Sequence, residues 1–335
     1  MESAASTRWD DTAGPADCAI IMNRPAREIT VAAPEGAGFS CLAYRTLNIG
    51  DMVQTMALTR LLPRMAAVYR HRMSSAPDDR IFVVNGFFER DRPPRGGADC
   101  FFAGVSGPYM RHELYLDWLR RSPWPVGARD PLTQERLARE GIATEMVGCA
   151  TLTLPRYDGP RRGVVSVDFD GPGVRLQHAI PRTLTLAEQW DHAARLLERY
   201  RTSEAVYTSR LHVALPCLAF GTPVWIAKPE VRGFPGRFSL LEEMEVPFEK
   251  LWECDVAPQR ERYLRHLQRH LGIPMASGGD PVIPVLTGPD RLRMSERVRF
   301  LLEDGWHAVQ QAWGREGRRL RMVRWQRRVA GWRKP

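Results

Sequence analysis

The sequence predicts an α/β protein built from two doubly wound domains that face each other across a cleft. Three observations lead there. Short apolar, β-rich runs alternate with runs of helical period through both halves of the chain. Several of these strand runs pass straight into a helix through a turn of Asn, Gly, Thr or Ser. A polar stretch with Pro and Gly, Pro155 to Arg162, divides a chain whose 335 residues favour two domains over one.

Residues 1–36 are rich in Ala, Pro and Gly and read as a loose lead-in. Residues 37–155 form the first domain. Its first core strand is Phe39 to Tyr44, which runs into Asn48-Ile49-Gly50-Asp51 and then a helix bearing Met52, Met56, Leu58 and Leu62. Asn and Gly allow a tight strand-to-helix turn, and Asp51 suits a helix cap. The turn has too few glycines for a dinucleotide fingerprint, which excludes NAD on this evidence. Further strands are expected at Asp79–Val84, Asp99–Val105, Pro125–Ala128 and Glu145–Val147, with a helix at His112–Arg121. Asp130-Pro131 reads as N-cap and first helical position of a helix that ends at Gly141. Residues 156–312 form the second domain, with a strand at 163–168, a helix near 185–201 and another from Phe238 to Met244. The helices at 257–272 and 291–312 are expected to cross back onto the first domain.

The rest of the chain is organised around Ser203 to Val224, which reads strand, turn, helix, stop, strand. Thr208 and Ser209 suit a helix start. Leu211, Leu215 and Leu218 fall on one helical face, and Gly221 ends the run. Arg210 and His212 therefore sit at the carboxyl end of a strand, where open α/β sheets bind ligands, and at a helix N-terminus, which attracts anions. Arg offers a planar, permanently charged fork, and His a proton near neutral pH. Pro216 has no N–H for the carbonyl of His212, so the first turn is expected to kink there. The plain alternative is a capped helix whose Arg and His face solvent.

Composition narrows the function classes. The net charge is +9, but residues 315–335 hold nine Arg/Lys against one acid, so the remainder carries only +1. A nucleic-acid enzyme usually shows its basic stripe on the folded body, so nucleic acid is not favoured. The tail instead places Met322, Trp325, Val329 and Trp332 on one helical face, flanked by Arg321, Arg324, Arg327 and Arg328. That pattern suits an anionic membrane surface. No apolar run reaches the ~18 residues of a membrane span, and no signal-peptide core is present. The expected location is the cytoplasm, with peripheral contact at the inner face of the membrane. The six cysteines, at 18, 41, 100, 149, 217 and 254, form no C-x-x-C or Cys/His cluster, so no metal and no disulfide framework is expected.

Three stretches together resemble the polysaccharide pyruvyl transferase family: Asn48-Ile49-Gly50-Asp51; Val126-Gly127-Ala128-Arg129-Asp130 through Gly148-Cys149-Ala150-Thr151-Leu152; and Thr208-Ser209-Arg210-Leu211-His212 with Gly221-Thr222-Pro223-Val224. The resemblance covers roughly residues 40–245. It implies two Rossmann-like domains in a GT-B-like layout, phosphoenolpyruvate as donor, and a sugar, glycan or lipid-linked glycan diol as acceptor. The product is a pyruvate ketal, with release of phosphate and no cofactor. Arg210, Leu211 and His212 look like the family's donor-binding element, with Arg129 as a second anion ligand; Lys228, Arg232 or Arg237 can help from the loop after Ile226, and Arg237 is the donor-side choice among them. Proton transfer to the enol carbon falls to His212. The base on the attacking hydroxyl falls to Asp51 or to Asp130, each of which also suits a helix cap. Asn48, Gly50 and Asn85 are the acceptor-side candidates, or else plain turn residues. A nucleotide-sugar glycosyltransferase of the same layout is the nearest rival. A non-catalytic membrane- or nucleic-acid-binding protein acting through the tail is the rival from another class.

Overall fold

The computed structural model describes residues 38–302 apart from 46, 63–64, 88–98, 108–112, 229–235, 275–278 and 299. The lead-in and the basic tail, with the membrane contact expected of it, lie outside the described residues. Among the described residues, no helix is long and apolar enough to cross a membrane.

The first half supplies β1 (Phe39–Ala43), α1 (Gly50–Thr59), β2 (Ala66–Tyr69), β3 (Ile81–Phe87), β4 (Cys100–Ser106), α2 (Glu113–Arg120), β5 (Val126–Ala128), α3 (Pro131–Arg139) and β6 (Thr144–Met146). The second half supplies β7 (Val164–Val167), β8 (Val174–Leu176), α4 (Leu186–Arg201), β9 (Ala205–Thr208), α5 (Leu211–Phe220), β10 (Val224–Ile226), α6 (Ser239–Glu243), β11 (Leu251–Trp252), α7 (Ala257–Leu271) and β12 (Val285–Leu286). Two sheets result. The larger runs β12-β2-β1-β3-β4-β5-β6, every neighbouring pair parallel. The smaller runs β11-β10-β9-β7-β8, parallel except where β11 meets β10. This is the arrangement of two Rossmann-like sheets that the alternating pattern predicts.

Strands β1, β3 and β4 are buried along almost their whole length because both faces of the sheet are covered. Phe102 stacks edge-on against Trp118 of α2 on one face. On the other face, Tyr263 of α7 donates to the carbonyl of Ala103 at 3.0 Å. Helices α1 and α5 pack against each other and are buried at every position. The stripe expected of Leu211, Leu215 and Leu218 is thus part of a helix that is apolar all round, as a helix enclosed on every side must be.

The expected second domain, 156–312, does not stay with its own sheet. Helix α7 packs on the first sheet, and β12 adds a parallel strand beside β2, pairing Val285 with Ala66. Arg45, buried at the end of β1, fixes this return by an ion pair to Asp290 at 2.6 Å. Strands β2, β8, β11 and β12 had no counterpart in the sequence reading. Three of them are two- or three-residue edge strands with half-exposed side chains, too short to show an alternation. The fourth, β2, is a four-residue run buried throughout, which shows no alternation either.

In each sheet, the chain order reverses at one strand. Strand β1 has β2 on one side and β3 on the other; β7 has β8 on one side and β9 on the other. The crevice beyond the carboxyl ends of strands at such a point is the ligand-binding position of open α/β sheets. Here the two crevices meet. Residues 178–180 of the second half run against 47–49 of the first, with Ile180 N–H donating to the Leu47 carbonyl at 3.1 Å and an antiparallel bridge between Asn48 and Ala179.

Candidate active site

The turn after β1 closes on itself. Asn48 Oδ1 accepts from Gly50 N–H at 3.2 Å. Ile49, not Asp51, occupies the N-cap position of α1, and Asp51 is already helical. The cap role expected for Asp51 is therefore overturned. Its carboxylate instead pairs with Arg70 at 3.8 Å and accepts from Gln54 at 3.4 Å. Gly50 is set by space: a Cβ there would lie 2.6 Å from the Cβ of His212. Two helix starts, one from each half, come together at this point.

The turn after β9 stays open. Thr208 Oγ1 accepts from Arg210 N–H at 3.0 Å, and Ser209 donates to the carbonyl of Asp168 at 3.2 Å. The N-cap position is Arg210, without a side-chain cap, so the capping expected of Thr208 and Ser209 is replaced by turn-closing bonds. The helix is kinked at His212 (φ −82°, ψ 16°), one turn before Pro216, as the missing proline N–H dictates. Gly221 ends it in the left-handed conformation. Leu211 is sealed in the core, so its side chain cannot touch a donor.

Arg210 is oriented by Asp168, whose Oδ2 accepts from Nε at 2.7 Å. Asp168 itself sits at the carboxyl end of β7 with φ 49°, an unusual conformation for a non-glycine residue. Its Oδ1 accepts from the N–H of His178 at 3.2 Å. His178 is buried, with Nδ1 3.0 Å from the Tyr200 hydroxyl, and its Nε2 has no partner among the described residues. His212 Nε2 is likewise buried and unpartnered among the described residues. Buried polar atoms without a protein partner are uncommon and call for a water, an ion or a ligand nearby.

Arg129 follows β5 and is almost fully buried. Its backbone N–H donates to Val105 O at 2.7 Å, while its Nε has no hydrogen-bond partner among the described residues. Its neighbour Asp130 is committed elsewhere. One carboxylate oxygen caps α3 through Thr133 N–H at 2.9 Å; the other accepts from Ser106 at 2.7 Å. Both oxygens of this fully buried group already accept hydrogen bonds. Asn85, at a register shift in β3, is also fully buried, and neither its amide oxygen nor its nitrogen has a partner among the described residues.

Electrostatics link these groups into one site. Burial, Arg129, Arg237 and His178 together hold His212 well below the usual histidine range, so the free site contains a neutral imidazole. Burial, Arg210 and Arg237 bring His178 down to about 3. Arg237 is itself destabilised by burial and by Arg210 and Arg129, with Asp51 acting the other way. Arg129, Arg210 and Arg237 therefore share one field with His178 and His212. Sequence reasoning found the three arginines and His212; it missed Asp168 and His178. Asp168 stands at the end of a strand, the one signal that was available.

The chain belongs to the polysaccharide pyruvyl transferase family: the family model matches residues 48–226, more than half of the sequence. The family is one of transferases and implies a polysaccharide acceptor. No curated protein matches the chain. Among solved structures, an uncharacterised protein from Klebsiella pneumoniae is similar at 12% identity, covering 66% of this chain and 94% of its own, with a TM-score of 0.44. A UDP-GlcNAc 2-epimerase from Methanocaldococcus jannaschii, solved with UDP-GlcNAc and UDP, is similar at 13% identity, covering 79% of this chain and 99% of its own, with a TM-score of 0.34.

Proposed function

We propose that this protein transfers the pyruvyl unit of phosphoenolpyruvate to two hydroxyls of a sugar or glycan, forming a ketal and releasing phosphate. The observation that carries this reading is the shared field of Arg129, Arg210 and Arg237 around the unpartnered Nε2 of His212. Arg237 has no carboxylate partner among the described residues. Arg129 and Arg210 each have one carboxylate neighbour, Asp130 at 3.6 Å and Asp168 at 2.7 Å, so the positive charge left over centres on Arg237 and favours an anionic ligand. A phosphate monoester carries about −1.5 to −2 at neutral pH, and the donor's carboxylate adds a further negative charge.

The chemistry then divides by residue. The arginines hold carboxylate and phosphate by charge-assisted hydrogen bonds. A proton goes to the methylene carbon of the enol, and C2 takes on oxocarbenium character. One acceptor hydroxyl attacks C2 and gives up its proton; the C–O bond to phosphate breaks with its electrons; the second hydroxyl attacks C2 to close the ketal, and its proton passes to the departing phosphate. His212 delivers the proton, and Asp51 receives the one from the hydroxyl. Asn48 and Asn85 face the acceptor side.

Burial is the main reason His212 is neutral in the free site, and Arg129 and Arg237 add to it. An anionic donor offsets the arginine part and so favours protonation of His212.

The test is phosphate release from phosphoenolpyruvate against a panel of glycans and lipid-linked sugars, together with heat stabilisation by the donor alone. A ligand at a hundred times its Kd stabilises by about 2.7 kcal/mol. Stabilisation by a nucleoside diphosphate and none by phosphoenolpyruvate would overturn the reading in favour of a nucleotide-sugar enzyme.

A further inference from the structure

Helix α7 carries His266 and His270 one turn apart, and both are buried against the first sheet. Spacing of four places them on one helix face. Glu145 of β6 meets them there, 121 residues away in sequence. Its Oε2 lies 2.9 Å from His266 Nδ1 and its Oε1 3.2 Å from His270 Nε2. One ligand atom from each of the three residues falls within 4.8 Å of the other two.

The second nitrogen of His266 decides how this cluster reads. Nε2 is 3.3 Å from the carbonyl oxygen of Phe102. A carbonyl only accepts, so Nε2 is the donor to Phe102. The 2.9 Å between Nδ1 and the carboxylate is then filled by a second ring proton or, in its place, by a metal ion. A metal-bound histidine has this same outer arrangement, with the ring nitrogen that is not on the metal donating to a backbone carbonyl. The space is kept by Gly127, where a Cβ would come within 2.9 Å of His266 Nε2 and 2.5 Å of Phe102 O.

We propose that Glu145, His266 and His270 form a zinc site that fastens α7 to the β6 edge of the first sheet. Two imidazoles and a carboxylate suit zinc better than calcium or magnesium, which prefer oxygen alone. Tetrahedral ligands about 2.0–2.1 Å from the metal stand about 3.3 Å apart, close to the two separations from Glu145, 2.9 and 3.2 Å. Glu145, 27% exposed, opens the site to solvent. Arg269 holds Glu145 Oε1 at 3.1 Å from an exposed position and gives way to the ion. None of these residues belongs to the donor site, so the proposal is independent of the transfer reaction.

The test uses the full chain made without a polyhistidine tag. After loading with zinc and dialysis into metal-free buffer, elemental analysis should find about one zinc per chain. Zinc should raise the thermal midpoint and a chelator should lower it. Cobalt(II) should give the intense visible bands of a tetrahedral site. His270→Gln and Glu145→Gln, checked for folding by circular dichroism, should lose the zinc and the midpoint shift. Where a variant fails to fold, the cobalt spectrum of the unaltered chain decides. Zinc well below stoichiometry with no midpoint shift, an octahedral cobalt spectrum, or folded variants that keep their zinc would each overturn the site.

Discussion

In the first half of the molecule, the turn after β1 consumes its own polar groups. Asn48 closes the backbone of Gly50, and Asp51 pairs with Arg70. In the second half, the turn after β9 spends only its hydroxyls on itself. Thr208 and Ser209 close the loop, and Asp168 takes a single nitrogen of Arg210. The remaining guanidinium nitrogens and His212 Nε2 have no partner among the described residues. Both turns follow the carboxyl end of a strand, β1 at the switch point of its sheet and β9 beside the switch strand β7, so position alone does not assign roles. What separates them is residual capacity: one turn offers a carboxylate already paired, the other a cationic surface that needs an anion.

If that difference is functional, the largest effect belongs to the open turn. His212→Gln keeps a hydrogen-bonding side chain but delivers no proton at neutral pH. Turnover is expected to fall ~10²–10⁴-fold, with heat stabilisation by phosphoenolpyruvate only modestly weakened. The counterpart in the closed turn, Asn48→Ala, should raise the acceptor KM and leave donor stabilisation alone. Should His212→Gln abolish donor binding with turnover per bound donor unchanged, His212 is an anion ligand and not the acid.

Arg210→Lys comes next. The charge is retained, but the fork that serves both Asp168 and the donor is lost. Hydrogen bonds to charged groups contribute about 1.5–3 kcal/mol, so donor affinity should drop roughly 10- to 100-fold in a calorimetric titration. Unchanged affinity would place the donor elsewhere and remove the contrast between the turns.

The pH response distinguishes the free site from the filled one. His178 and His212 have folded values depressed below the ordinary ~6.5 of histidine. The unfolded chain therefore binds more protons below that value, and stability, full above it, is lost as pH falls. Each histidine costs about 1.4 kcal/mol per pH unit there, His178 down to about pH 3. Donor binding acts in the opposite sense. If the proposed donor complex takes up a proton at His212, the stabilisation gained from phosphoenolpyruvate should grow as pH is lowered from 8 towards 6. Thermal midpoints with and without donor check both trends. A donor increment that is flat with pH means His212 stays neutral in the complex.

Local chemistry was legible in the sequence and assembled chemistry was not. Asp130-Pro131 could be read as a helix start, and Pro216 as a kink at His212, because each follows from a few neighbouring residues. Arg129 and Arg210 stood out as candidate anion ligands because both follow a strand. Asp168 was not, since its meaning comes from Arg210, 42 residues later. His178 was hidden for the same reason; nothing near it in sequence announces the buried partner Tyr200. Strand β12 exists only because β2 offers an edge. His266 and His270 show helical spacing, but the carboxylate they share is on a strand of the other half.

The smallest expected effect tests which acid belongs to which job. Asp130 lies beside Arg129, inside the family motif, and the sequence admitted it as a base. Its Oδ1 caps α3 and its Oδ2 accepts from Ser106. Asp130→Asn keeps an oxygen for the Thr133 N–H and loses part of the Ser106 contact. Asparagine is as good a cap as aspartate, whereas loss of a cap costs about 1 kcal/mol. Asp130→Asn should therefore lower stability by no more than about that amount in denaturant melts, and turnover should stay within a few-fold. Asp51→Asn, which leaves α1 uncapped as before but removes the carboxylate from the crevice, should cost turnover without that loss of stability. If Asp130→Asn stays folded and stops the reaction while Asp51→Asn does not, the base lies beside Arg129 and the closed turn has no part in the chemistry.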